Sequence, residues 1–341
     1  MNRKYFLSSF IAAGAAFSTL ASWAKVTNED HSRKNIIPDY LKPGDKIGIT
    51  SPAGYITLEA IQPAVQLMES WSYQLQIGTT IGKRDFTYGG TDVERIEDLQ
   101  QMLDHPDLKA IMCARGGYGL VRIIDQLDFK KFTMHPKWLI GFSDATVLHC
   151  HLNSKHGIAT LHSKMCNSFP DDWSKADPIQ ISTILSIKQA LSGEDYKYTS
   201  SLSSANRPGI ASGILVGGNL SIIETLSGTP SDLETKNKIL FVEDTGEYLY
   251  SVDRMFWNLK RTGKLSNLAG LIIGGFKLKP DDPGEEFGKT ILEIVMEKVK
   301  EYNYPVCFEF PSGHQKNNFA LKCGVKHLLE VTANGSSLSS I

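Results

Sequence analysis

Between Lys46 and His149 the chain alternates four times between a short apolar run and an amphipathic segment, and this alternation constrains its fold more than any other feature. The apolar runs are Lys46 to Thr50, "YQLQIG", "LKAIMCA" and "KWLIG". Each is too short for a helix, and each is followed by a segment with helical spacing. The first of these covers 60–71, with Ile61, Val65 and Met68 on one face and Pro63 tolerated in the opening turn. The second, "TDVERIEDLQQMLDHP", turns Ile96, Leu99 and Leu103 inward. "LVRIIDQL" is the third, and the segment after Ser143 is the fourth. Strands joined through helices make a parallel sheet covered on both faces, so the expected class is α/β. Ligands of such sheets bind beyond the C-terminal ends of the strands. Three loops containing Gly or Ser, at 51–54, 115–119 and 141–144, fall there.

The second half changes character after Pro208. "GILVGGNLSIIETLSG" reads as a short strand, a glycine pair and a helix; "KILFVED" and "LAGLIIGGF" read as buried strands. Fewer helices per strand predict a smaller, β-rich α+β domain, its last strand being "HLLEVTA". The expected organisation is a signal peptide over 1–24, a mobile polar leader over 25–40, an α/β domain over 41–171, a connection over 172–207 and a second domain over 208–335. The signal rests on Arg3 and Lys4, an apolar run from Tyr5 to about Leu20, and small residues Ser22 and Ala24 at the spacing a signal peptidase prefers. It predicts export, with the periplasm as destination and no stable membrane insertion once the signal is removed. With a net charge of −1, the chain has no electrostatic footprint for nucleic acid. The five cysteines show no framework spacing, and Cys113 and Cys307 lie in apolar runs as small core residues.

"WLIGFSDATVLH" places Ser143 on the corner between a buried strand and a helix. Two readings compete there: a helix cap, or a nucleophile lifted clear of the sheet with backbone N–H groups around it. A serine nucleophile needs a base and an acid to orient the base. His314, in the loop "PSGHQKNN" after an apolar strand, is the candidate base, against the reading of an exposed loop histidine. Glu243, closing the strand "LFVED", is the candidate acid, with Asp244 competing. The loop Arg115 to Gly119 lacks phosphate-loop spacing and suits oxyanion donation instead. His149, Cys150, His151, His156 and His162 have no metal-site spacing, and His149 and His151 point to different helix faces.

The segments "SPAGYI", "ARGGYGLVRIIDQLDF", "WLIGFSDATVLH", "GILVGGNLSIIETLSGTP", "ILFVEDTGEYLYSVDRMFWNL" and "FPSGHQ" follow one another as in the LD-carboxypeptidases, a family that includes the microcin C immunity peptidases, and the chain resembles that family from about Leu41 to Val331. The resemblance implies a flavodoxin-like N-terminal domain, a smaller β-rich partner domain, frequent homodimers, and no metal or cofactor. It implies Ser143 as nucleophile, Glu243 as acid and His314 as base, with the N–H groups of Gly116 and Asp144 as oxyanion hole. The implied reaction hydrolyses the bond to a C-terminal D-amino acid, as in murein tetrapeptide. Arg115 and Lys164 are candidates for holding the substrate's carboxylate. Cleavage of a peptide-nucleotide or other peptide-like toxin is one alternative, and a non-catalytic peptidoglycan-binding module another. The chain departs from the family's pattern in three places. Ser163-Lys164 stands where many members have Gly-Pro, Trp173 lies in a polar loop after Asp171, and an export signal precedes a fold whose familiar members are cytoplasmic.

Overall fold

The computed structural model describes residues 35–332 and 334–341. The signal peptide and most of the leader lie outside the described residues. From residue 35 the leader is not mobile as expected but part of the fold. Ile36 bridges Ile158, the Trp138 indole N–H donates to the Asp39 carbonyl (3.1 Å), and the Tyr40 ring stacks on Trp138.

The first half runs β1 (Lys46–Thr50), α1 (Leu58–Ser70), β2 (Gln74–Ile77), α2 (Asp92–Asp104), β3 (Leu108–Cys113), α3 (Leu120–Ile123), α4 (Lys130–Met134), β4 (Trp138–Gly141), α5 (Thr146–His151), β5 (Thr160–His162) and α6 (Pro178–Leu191). The second continues with β6 (Lys197–Ser200), β7 (Gly209–Asn219), α7 (Leu220–Thr225), β8 (Ile239–Thr245), α8 (Leu249–Arg261), β9 (Gly270–Lys277), α9 (Ile291–Val299), β10 (Val306–Cys307), β11 (Leu321–Cys323), β12 (Lys326–Thr332) and β13 (Gly335–Ser340). Two sheets result, ordered β11-β5-β4-β3-β1-β2 and β10-β9-β8-β7-β12-β13-β6.

In the first sheet β2, β1, β3 and β4 are parallel, as the alternation predicts; β5, which the sequence reading did not mark, adds to them in parallel, and β11 returns from much later in the chain to close the edge antiparallel to β5. The second sheet is mixed. β7 to β10 form a parallel run with crossover helices, and β12, β13 and β6 extend it antiparallel. The segment expected as a connection around one helix, Ile179 to Leu191, contains that helix as α6 and also supplies β6, and the second sheet extends past "HLLEVTA" to β13. Each of the two hydrophobic clusters draws on both halves, so the sheets share their core: Leu139 and Val216 belong to one, Ile47 and Phe241 to the other.

Two local readings are corrected. Thr57 caps α1 by accepting the Ala60 N–H, which starts the helix early and leaves Pro63 past the first turn. Gly217 and Gly218 do not follow a short strand but lie inside β7, which runs on to Asn219. A Cβ on Gly217 would fall 1.9 Å from the Phe241 carbonyl oxygen, and one on Gly218 would fall 2.5 Å from Thr146 Oγ1. That close approach lets the Thr146 hydroxyl oxygen accept the Asn219 N–H (3.0 Å), joining the end of β7 to the start of α5.

Helix α2 buries two charges that its pattern assigns to the surface. Asp98 accepts hydrogen bonds from the hydroxyls of Thr50 (2.7 Å) and Thr80 (2.6 Å) and the N–H of Thr79 (2.7 Å), fixing the end of β1. Arg95, with no exposed surface, donates to the carbonyls of Pro52 (2.6 Å) and Gly119 (3.0 Å) and pairs with Asp92. One guanidinium thus ties together two loops at the C-terminal edge of the sheet. Arg95→Met is expected to leave the Pro52 carbonyl without a partner and the Gly119 carbonyl with only the Arg122 N–H, and to lower unfolding stability by about 1–3 kcal/mol, read from urea denaturation. A loss below about 1 kcal/mol would show that the loops hold each other without it.

Candidate active site

Strand β4 ends at Gly141, Phe142 stays extended, and Ser143 turns to φ +61° before the helical turn that leads into α5. A left-handed backbone costs a non-glycine residue about 1–2 kcal/mol, and such strain is retained where the surrounding structure enforces it. The turn presents Ser143, partly exposed, at the sheet edge while Asp144 is buried behind it. The Asp144 carboxylate accepts the Leu120 N–H (2.9 Å), fastening the Ser143 turn to the end of the Arg115–Gly119 loop. Burial raises this carboxyl to about 6, against the opposing pull of the Leu120 and Gly119 N–H groups.

That loop meets the serine at Gly116. A Cβ on Gly116 would lie 3.0 Å from Ser143 Cβ and 3.2 Å from its Oγ, so the absence of a side chain lets main chain approach the hydroxyl. Asp144 lies in the first turn of a helix, where N–H groups have no intrahelical partner. The two expected oxyanion donors therefore belong to residues flanking Ser143. Arg115 lies at the exposed rim, with its Nη1 donating to the Tyr55 carbonyl (2.8 Å).

Glu243 and His314 come from the second sheet. Glu243 sits in β8 opposite Asn219 of β7 and is fully buried. Strand β9 bulges at Gly274 and Gly275, and the segment after β10 fits against the bulge, with the Gly275 N–H donating to the Ser312 carbonyl (2.8 Å). Gly313, at φ +100°, passes so near Glu243 that a Cβ there would fall 2.4 Å from the glutamate's own Cβ. His314 follows, and its Nδ1 lies 2.6 Å from Glu243 Oε2. With a carboxylate accepting from Nδ1–H, the other ring nitrogen is left to take a proton. The His314 ring centroid is 4.9 Å from that of Phe142, the residue before Ser143.

Of Glu243 and Asp244, the pleat of β8 turns Glu243 toward His314. Asp244 faces the other way and accepts from Asn219 Nδ2 (2.9 Å) and the Ser221 N–H (2.8 Å) at the start of α7. The histidines near the serine brace the framework. His149 donates from Nε2 to the Gly141 carbonyl (2.9 Å), which leaves Nδ1 to accept the Thr160 hydroxyl (2.9 Å), and burial lowers its pKa to about 4. His151 meets the Ser231 hydroxyl (2.8 Å). Among the described residues, no group of three or more His, Cys, Asp or Glu side chains could hold a metal ion. All five cysteines are buried free thiols.

Two site residues escaped the sequence reading. Asn318, fully buried, accepts the Gly313 N–H (2.8 Å) and so fixes the turn before His314. His162, also fully buried, lies 3.4 Å from the Ser312 hydroxyl, and burial holds its imidazole well below the usual pKa. The asparagine pair in "GHQKNN" was the available signal for the first; the second read only as one histidine of a cluster.

Residues 47–163 match the LD-carboxypeptidase N-terminal domain family and residues 212–329 match the LD-carboxypeptidase C-terminal domain family. The chain is 32% identical over 294 residues to a Bacillus subtilis (strain 168) protein named "Probable murein peptide carboxypeptidase", covering 86% of this chain and 91% of that one. The chain belongs to the LD-carboxypeptidase family. Another relative in the LD-carboxypeptidase comparison is the microcin C7 self-immunity protein MccF of Escherichia coli, 26% identical over 328 residues, with 88% of this chain and 94% of that one covered. The crystal structure of muramoyltetrapeptide carboxypeptidase from Oxalobacter formigenes superimposes with a TM-score of 0.76 at 27% identity, covering 86% of this chain and 98% of that one. LD-carboxypeptidase membership accounts for the two-sheet fold and makes the chain one of a family of hydrolases.

Proposed function

We propose that this protein is a serine-type LD-carboxypeptidase that releases the terminal D-alanine of murein tetrapeptide. The observation that carries this reading is the 2.6 Å contact between His314 and buried Glu243, beside the strained turn that presents Ser143. Ser143 Oγ attacks the carbonyl of the penultimate residue while His314 takes its proton, and Glu243 holds the imidazole and stabilises the imidazolium. The Gly116 and Asp144 N–H groups receive the oxyanion. His314 then returns the proton to the leaving amine, and water, activated by the same imidazole, releases the acyl group.

The murein reading is favoured over immunity to a peptide-like toxin because identity is higher to the relative named for murein peptide than to MccF. The test is mass spectrometry of purified protein incubated with two tetrapeptides differing only in the configuration of the terminal alanine. Loss of D-alanine, with the epimer ending in L-alanine nearly untouched, is expected. Equal rates would make it a general carboxypeptidase, and inertness toward both would turn attention to toxin-like substrates. We also propose that it acts in the periplasm after removal of residues 1–24, as a homodimer. N-terminal sequencing from the native host reads the first point, and sedimentation of the mature protein reads the second.

A further inference from the structure

The first sheet carries one more functional group at its C-terminal edge, on the strand beside the nucleophile's. β5 pairs with β4 so that Gly141 lies opposite His162, and the Ser163 N–H donates to the Gly141 carbonyl (3.0 Å). The next residue is Lys164. Its side chain is half-buried and runs over the Phe142 ring, with Nζ 5.5 Å from the ring centroid, and Nζ donates to the carbonyl of Gln315 (2.7 Å), the residue after His314. Phe142 therefore has the proposed base on one part of its ring and an ammonium on another.

An ammonium has three donors, and Lys164 forms no ion pair among the described residues. Burial lowers its pKa, and Glu243 is the nearby negative charge that acts against this, but that carboxylate is bonded to His314. A half-buried cation without a bonded counter-charge is poorly solvated and gains most from an arriving anion. In the proposed reaction the leaving residue presents its nitrogen to His314, and its own carboxylate lies about 3 Å from that nitrogen. Arg115, the other cation considered, sits on the Gly116 side of Ser143, is exposed, and is engaged with Tyr55.

We propose that Lys164 Nζ is the group that binds the C-terminal carboxylate of the substrate, making this site selective for peptides with a free C-terminus. The inference rests on the peptidase reading above and adds the residue that makes it an exopeptidase.

The test compares tetrapeptide bearing a free terminal carboxylate with the same peptide bearing a terminal carboxamide, on wild type, Lys164→Met and Lys164→Arg, with circular dichroism to verify folding. Wild type is expected to prefer the free acid. Lys164→Met should lose roughly 10- to 100-fold in kcat/KM on the free acid, mainly through KM, and much less on the amide, so that the preference collapses. Lys164→Arg should retain part of the preference, which keeps the test usable if the methionine variant folds poorly. Equal loss on both substrates through kcat would overturn the assignment and make Lys164 only a clamp on the His314 loop. So would a wild type indifferent to the terminal charge. A wild type inert toward both peptides would instead defeat the peptidase reading, and the inference with it.

Discussion

Ser143→Ala is expected to release no measurable D-alanine, with kcat reduced on the order of 10³- to 10⁶-fold while the fold persists. The loss is large because no other hydroxyl among the described residues occupies that turn. The residual rate would be what the Gly116 and Asp144 donors supply to an attacking water. The variant also separates enzyme from binding module, since a module would bind peptide unchanged and have no turnover to lose. A companion substitution reads the strain directly. Ser143 has φ +61°, and glycine adopts that conformation without penalty. Ser143→Gly should therefore be equally inactive yet more stable than Ser143→Ala by about 1 kcal/mol in urea denaturation. Retained turnover in either variant would remove Ser143 from the mechanism.

Glu243→Gln is the second large effect. The carboxylate accepts from His314 Nδ1 and so selects the tautomer whose other nitrogen can take the serine proton. A glutamine can turn its amide N–H toward Nδ1, which places the ring proton on the nitrogen facing the serine and removes the base. A fall in kcat of about 10³- to 10⁴-fold at neutral pH is expected, with KM little changed. Asp244→Asn is the control. Asp244 holds the start of α7 and does not touch His314, so its substitution should act on stability before rate. If the two variants lost activity alike, the damage would be to the sheet edge as a whole, and Glu243 would have no separate role.

The parts of this site differ in how far the sequence discloses them. The corner at Ser143 is legible because a glycine ends an apolar run and a helical pattern starts at once. His314 is legible because a histidine in a polar loop beyond a strand has no apolar face to fill. The choice between Glu243 and Asp244 is not, because adjacent strand residues point oppositely and only the neighbours show which face holds the histidine. The glycine pair at Gly217 and Gly218 reads as a break after a short strand because glycine marks both interruptions and close approaches, and only the distance to Phe241 and Thr146 separates them. Arg95 and Asp98 are hidden for a related reason. On an amphipathic helix a charge reads as solvent-facing, and burial here is permitted by loop carbonyls and threonine hydroxyls that lie far away in sequence.

The return of β11 to the edge of the first sheet bears on how this protein comes into being. Leu321–Cys323 pairs with Thr160–His162, so the sheet that carries Ser143 is incomplete until almost the whole chain has been synthesised. Long-range pairings of this kind are slow to form, because the loop they close must be ordered before the contact stabilises it. A nascent chain still lacking that strand exposes the open edge of β5, and the proposed base His314 is added only a few residues before it. Completion of the sheet that carries Ser143 and arrival of the proposed base are thus closely spaced late events, and a polypeptide that stops before residue 314 has neither.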